Sequence, residues 1–135
     1  MCHQQSHWCG TLHFVVKIFL THKTPFLILP TIKSKFLSIL NSIPVGQLRF
    51  DMRESDALIS YSVDYKYRGM GLGTIFLSIA IEKILKERNG IKSITGFVQQ
   101  QNKASVKSFQ KLCFAQFEAD AFIYPNSYKF VKTIA

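Results

Sequence analysis

The sequence of 135 residues predicts a single domain of the mixed α/β class, running from residue 1 to residue 135. Three observations carry that reading. Apolar residues make up 47% of the chain and charged ones 19%, the reverse of the balance that keeps a chain disordered. A chain of this length suits one domain burying about two thirds of its unfolded surface. From Val45 onward, runs with the period of strands also alternate with runs at the period of helices, in the order β-β-α-β-α-β-β.

The elements follow in turn. Residues 45–50 set Val45, Gln47 and Arg49 against Gly46, Leu48 and Phe50, the alternation of a strand. Residues 51–56 read as a polar turn and 57–63 as the second arm of a hairpin. A loop rich in Tyr, Lys, Arg and Gly spans 64–71. Leu72, Ile75, Phe76, Ile79, Ala80 and Ile84 then fall on one helical face, with Glu82, Lys83, Lys86, Glu87 and Arg88 on the other. Asn89-Gly90 closes that helix, Gly being the usual left-handed residue at such an end. Residues 91–98 read as a β-branched strand. Asn102 starts a short helix with Val106, Phe109 and Cys113 inward, and 115–122 with 128–134 make a final hairpin around Pro125-Asn126-Ser127.

The first 44 residues diverge from this clear pattern. Leu12, Val15, Val16 and Phe19 recur at helical spacing and predict a short helix. Pro25 and Pro30 bracket a short strand at 26–29, and 36–40 predict another, before turn residues Asn41-Ser42. Which of these two runs pairs with the strand at Val45 stays open.

Net charge is +9, and every acid lies at Asp51 or beyond, whereas Lys17, Lys23, Lys33, Lys35 and Arg49 precede it unopposed. Such a balance favours an anionic partner. The aromatic residues near Lys and Arg come with no RNP-like or zinc pattern, so nucleic acid is not expected. No uninterrupted apolar run reaches the ~18 residues of a membrane span, and the start lacks the basic region of a secretory signal. Three cysteines, Cys2, Cys9 and Cys113, form no disulfide framework, which favours a reducing, cytoplasmic setting. Cys2, His3, His7 and Cys9 match no closed zinc spacing, so no metal is expected. Cys113 reads as a small core residue.

The strongest signal is Arg68-Gly69-Met70-Gly71-Leu72-Gly73-Thr74, set between a strand and a long helix. Glycines there let a ligand approach the backbone. The first N–H groups of a helix have no internal partner and sit at the positive end of its dipole, so the position suits a phosphate. It is not a P-loop, because no Lys follows the glycine at the helix start, and the 69-71-73 spacing after a hairpin arm is not the Rossmann fingerprint.

These residues resemble the GCN5-related N-acetyltransferases, the GNAT family, whose acetyl-coenzyme A loop has the form Arg/Gln-x-x-Gly-x-Gly/Ala. Arg68 to Gly73 fits it at every specified position. The segment from Asn102 through Ser105 and Phe109 to Phe114 is similar to a second family pattern, Asn-x-x-Ser/Ala-x-x-x-Tyr/Phe-x-x-x-Gly-Phe. The resemblance covers residues 45–133 and implies a largely antiparallel sheet, flanking helices and a splayed strand pair, here 57–63 and 91–98. It implies acetyl-coenzyme A as cosubstrate, with no metal. Backbone groups of Tyr61, Ser62 and Val63 would meet the pantetheine arm, while Arg68, Gly69, Met70, Gly71, Leu72, Gly73 and Thr74 would hold the pyrophosphate, with Asn102 beside the arm.

The resemblance also exposes departures. The family's carboxylate positions on the two splayed strands fall at Leu58 and Phe97, its proton-donating Tyr at Phe109 and its Gly at Cys113, and the usual strand and two helices at the start do not show. Glu54 and Asp56 are then the nearest candidate catalytic acids, with water carrying the proton and the thiolate leaving without a dedicated acid. The function implied is acetyl transfer to a primary amine on a small molecule. The third strand looks like members that acetylate amino-sugar nucleotides, and Arg49 would suit a phosphorylated acceptor. A protein or peptide amine, and a coenzyme A-binding module without turnover, are the alternatives. A homodimer stays open; no membrane partner is expected.

Overall fold

The structure, a computed structural model, describes residues 16–21, 24–30, 35–40, 43–67, 69 and 71–134. Eight strands form one sheet: β1 (Val16–Thr21), β2 (Thr24–Pro30), β3 (Lys35–Leu40), β4 (Ile43–Arg53), β5 (Asp56–Val63), β6 (Ser93–Gln99), β7 (Ala115–Glu118) and β8 (Ser127–Thr133). Helix α1 (Leu72–Glu87) joins β5 to β6, and α2 (Lys103–Lys111) joins β6 to β7. The strand order is β1-β2-β3-β4-β5-β6-β8-β7, antiparallel throughout except for the parallel pair β5 and β6.

The expected helix around Val16 and Phe19 is instead strand β1, whose partner is β2, with Val16 opposite Ile28. Apolar residues two and three apart fit both periods. The neighbouring apolar run, entered two residues later, offers a ladder to pair with, so tertiary pairing overrides the helical pattern. Leu12 and Val15, and the cluster Cys2, His3, His7 and Cys9, lie outside the described residues. The pairing left open by sequence is settled: β3 lies beside β4, with Lys35 opposite Arg49, and β2 lies one strand further out.

Several boundaries differ from expectation, three of them with a local cause. The polar turn shrinks to Glu54 and Ser55, because β4 and β5 stay paired down to Arg53 and Asp56 and Glu54 turns the chain at φ +54°. Helix α1 stops without a left-handed glycine: Arg88 goes extended (φ −131°, ψ 113°). Strand β7 ends at Glu118, because Asp120 starts a turn. Its Oδ1 accepts from Phe122 N at 2.9 Å and its carbonyl from Tyr124 N at 2.7 Å.

The core lies between the sheet and the two helices. Phe36, Leu48, Phe50, Ala57, Ile59, Ile94 and Phe130 come from the sheet and meet Phe76, Leu77, Ala80, Ile81 and Ile84 of α1 and Phe109 of α2. The opposite face of β4 and β5 exposes Gln47, Arg49, Ser60 and Ser62. One local fit positions the site. A Cβ on Gly96 would stand 2.8 Å from Phe109 Cζ and 3.0 Å from Ile59 Cγ2. Only glycine lets the Phe109 ring settle against the last paired residues of β5 and β6.

Candidate functional site

Strands β5 and β6 pair from Asp56 opposite Ser93 to Ile59 opposite Gly96, and no further. Beyond that point residues 60–63 keep only β4 as their partner, and β6 keeps only β8, with which it is paired along its whole length. Phe109 packs at the vertex of this fork, against Gly96 of β6 and beside Ile59 of β5. That ring stacks on Phe130 (centroids 5.0 Å apart, 14° between planes) and meets Phe114 and Tyr61 edge-on at 4.9 and 5.9 Å.

Beside the fork lies a cleft of about 440 Å³, lined by Tyr61, Ser62 and Val63 of β5, Gly69, Gly71, Leu72, Gly73 and Thr74 at the start of α1, and one side of α2. Gly69 and Gly71 both have φ +79°, a left-handed conformation that L side chains rarely adopt. Nothing lies within 4 Å of a Cβ placed on either, so the requirement on the protein side is conformational rather than steric. Gly71 is the N-cap and offers no side chain to the helix, and α1 has no acid in its first turn, so neither supplies a side-chain partner to its leading N–H groups. Lys103, Lys107 and Lys111 line the same cleft, and no carboxylate does. Arg68 and Met70 lie outside the described residues.

Asn102 caps α2, its Oδ1 accepting from Ser105 N at 3.3 Å, which leaves its amide NH2 as the group able to donate into the cleft. Thr74 Oγ1 donates to Ser108 Oγ at 2.9 Å and ties the start of α1 to α2. Tyr61 OH donates to Ser105 Oγ at 2.9 Å. Burial pushes the Tyr61 phenol above the ordinary tyrosine value, opposed by the hydroxyls of Ser105 and Ser108, so the phenol holds its proton at neutral pH.

Two further openings meet at Tyr61. One, of about 550 Å³, fills the mouth of the fork between Leu58, Ile59 and Ser60 on one side and Phe97, Val98 and Gln99 on the other. The second, about 370 Å³, is a groove on the outer sheet face lined by Lys35, Gln47, Arg49, Ser60 and Ser62.

The sequence profile of the Acetyltransferase (GNAT) family matches residues 31–114. The chain belongs to the GNAT family of acetyltransferases. The solved structures similar to it agree with that fold. A GNAT-family acetyltransferase from Streptococcus pneumoniae is 23% identical with a TM-score of 0.62, over 75% of this chain and 66% of that one. Ribosomal-protein-S5-alanine acetyltransferase from Vibrio fischeri is 19% identical with a TM-score of 0.64, over 73% and 60%. The yncA protein of Salmonella typhimurium, solved with its cofactor acetyl-CoA, is 19% identical with a TM-score of 0.63, over 83% and 65%. The chain thus spans 60–66% of the length of these structures. No curated protein matches it.

Against the GNAT pattern, the start of the chain differs: among the described residues before β4 there are three strands and no helix. Leu58 and Phe97, at the family's carboxylate positions, both line the mouth of the fork, and Phe97 stacks on Tyr124 at 3.8 Å. Glu54 and Asp56 sit at the far end of the hairpin and line none of the three openings. Asp56 Oδ1 accepts from Ser93 Oγ at 2.7 Å and Thr95 Oγ1 at 2.9 Å, so it fastens β5 to β6. Cys113 is not the inward core thiol expected from the helical spacing. It is exposed and left-handed at φ +65°, two residues past the end of α2, while Leu112 and Phe114 are the buried neighbours. The family's Gly at that position was the signal for a left-handed residue. Tyr61 and Ser105 as a pair could not be found by motif, because they are 44 residues apart.

Proposed function

We propose that the chain transfers an acetyl group from acetyl-coenzyme A to a primary amine. The observation that carries this is the fork of β5 and β6 opening directly beside a glycine-led helix start with three lysines and no acid around it. That cleft suits a polyanionic nucleotide: the N–H groups of residues 71–74 would hold the pyrophosphate, and Lys103, Lys107 and Lys111 add full charge. Arg68, by its place in the loop, would either contact a phosphate or pin the loop. The edge of residues 61–63 that β6 abandons suits the amide groups of a pantetheine arm, with Asn102 across from it. The thioester would then lie in the fork, in reach of the outer groove.

The reaction joins the amine nitrogen to the acetyl carbon and releases the thiol. No carboxylate lines the three openings, so the ammonium proton leaves to water in this reading. The outer groove pairs Lys35 directly with Arg49 across β3 and β4. Arg49 Nε also holds Asp51 Oδ2 at 3.2 Å, and the two cations outnumber that one carboxylate, which favours an anionic acceptor such as an amino-sugar nucleotide. A protein amine is the second reading, and the similarity to a ribosomal-protein-alanine acetyltransferase favours it. Cytoplasmic location is part of this proposal; among the described residues no helix is long and apolar enough to cross a membrane.

The test is a thermal-shift titration with coenzyme A and acetyl-coenzyme A, followed by a thiol-release assay across amino-sugar nucleotides and peptide amines. Saturable stabilisation with acceptor-dependent thiol release is expected. Stabilisation with no release from any amine makes the chain a binding module, and no stabilisation at all removes the assignment.

A further inference from the structure

The cofactor cleft and the mouth of the fork share three lining residues, Tyr61, Asn102 and Ser105. An acyl thioester reaching from the first opening into the second passes between them. Asn102 Oδ1 is occupied as the cap of α2. The two hydroxyls left at this passage are bonded to each other, Tyr61 OH to Ser105 Oγ at 2.9 Å. Tyr61 also borders the outer groove, so the residue stands where all three openings meet, with its side chain on the helix side against Phe109 and Ser105. Its ring meets Phe109 edge-on, with centroids 5.9 Å apart, and Phe109 is a buried hydrocarbon with no proton to give.

We propose that Tyr61 donates the proton that the departing thiolate of coenzyme A takes up, with Ser105 as its positioning residue. This rests on the acetyl-transfer reading above. In the step, the amine lone pair makes the C–N bond. The C–S bond breaks with its electron pair going to sulfur, and the Tyr61 O–H proton passes to that sulfur to give the free thiol. The ammonium proton leaves to water, and the Tyr61 phenolate recovers a proton from water through the Ser105 hydroxyl. Burial keeps the phenol protonated until it acts, and no carboxylate in any of the three openings competes for the role. An alkyl thiol has a pKa of about 8.5, so its thiolate leaves unaided but more slowly than with an acid.

The experiment compares the parent with Tyr61→Phe and Ser105→Ala on two acyl donors, acetyl-coenzyme A and 4-nitrophenyl thioacetate, whose more acidic thiol needs no proton to leave. Tyr61→Phe is expected to lower kcat on acetyl-coenzyme A by about tenfold or more, the low end of general-acid effects discounted for a fair leaving group. KM for acetyl-coenzyme A should stay within about twofold, as befits a group that acts in the transition state alone. Turnover of the aryl thioester should fall by less than about twofold, because the acid contributes nothing there. Ser105→Ala should show the same pattern at smaller size. Equal losses on both donors would make Tyr61 a packing residue and overturn the proposal, as would an unchanged kcat on acetyl-coenzyme A. A parent that binds coenzyme A and transfers acetyl groups while Tyr61→Phe matches it removes this inference alone. A parent that binds no coenzyme A removes both readings together.

Discussion

At its start β5 is paired on both sides; at its end only β4 remains beside it. The closed end is fastened by Asp56, which takes two hydroxyl hydrogen bonds from β6. The open end carries Tyr61, whose hydroxyl reaches past the missing strand to α2. Between them sits Gly96, bare of side chain so that Phe109 can pack at the vertex of the fork. One strand thus changes from doubly paired ladder to open edge within a few residues. The surrounding residue types follow the change: a carboxylate where two strands are tied, hydroxyls, glycines and lysines where the cleft opens.

The largest effect should come from the loop that continues the open end. Gly71→Val places a β-branched side chain at φ +79°, which costs about 1–2 kcal/mol of stability. It also fills space that the protein leaves empty, within 4 Å of no other atom. Coenzyme A affinity should fall about a hundredfold or more, equal to about 2.8 kcal/mol. Gly71→Asn, which tolerates the left-handed region, should keep more of the fold stability and so separate strain from obstruction. If coenzyme A raises the Tm of Gly71→Val as far as that of the parent, the pyrophosphate does not lie there.

The open end was partly legible in the sequence, because glycine spacing and Asn-x-x-Ser capping are local chemistry that survives without tertiary context. The closed end was not. Asp56 looked like a free turn acid, since its partners Ser93 and Thr95 lie 37 and 39 residues on. Tyr61 was read only for its backbone, because its side-chain partner comes from another element. In β1, Val16 and Phe19 fit the helical period while Val16, Ile18 and Leu20 fit that of a strand, and only the neighbouring β2 decides between them. Cys113 failed for a different reason: helical spacing was carried two residues beyond the point where α2 ends.

At the fork itself, Gly96→Val should cost about 1–3 kcal/mol, the range for overpacking a filled core. The neighbours it meets are a ring and a side chain of the opposite strand, neither free to move far. Chemical denaturation measures the loss. If stability holds and coenzyme A still binds, Phe109 does not set the divergence of β5 and β6. At the closed end, Asp56→Ala strands two hydroxyls and should cost about 1–3 kcal/mol. Yet kcat for Asp56→Ala and for Glu54→Gln should stay far above the 10²–10⁴-fold loss of a missing general base. A loss inside that range from either variant would put a catalytic acid at the end of β5 assigned here to structure.

The smallest effect lies in alkaline stability and tests the open end by a route independent of turnover. The Tyr61 pKa is raised in the folded chain by burial. Folded protein therefore keeps a proton that the unfolded chain has begun to release once the pH passes about 10, the ordinary tyrosine value. In that window the folded state binds more protons, so stability falls as pH rises; below it both states are protonated and the group is silent. Tyr61→Phe cannot titrate and escapes this fall. Lys132, whose pKa burial lowers, pulls the other way, but it is present in both chains and cancels in their difference. Unfolding midpoints of parent and Tyr61→Phe in denaturant, at pH 8 and near pH 10.5, should show the parent losing more on the alkaline step. A difference between the two chains that does not move with pH would mean that the Tyr61 hydroxyl is as well solvated folded as unfolded. It would then stand open to water rather than held against Ser105 at the passage between the two clefts.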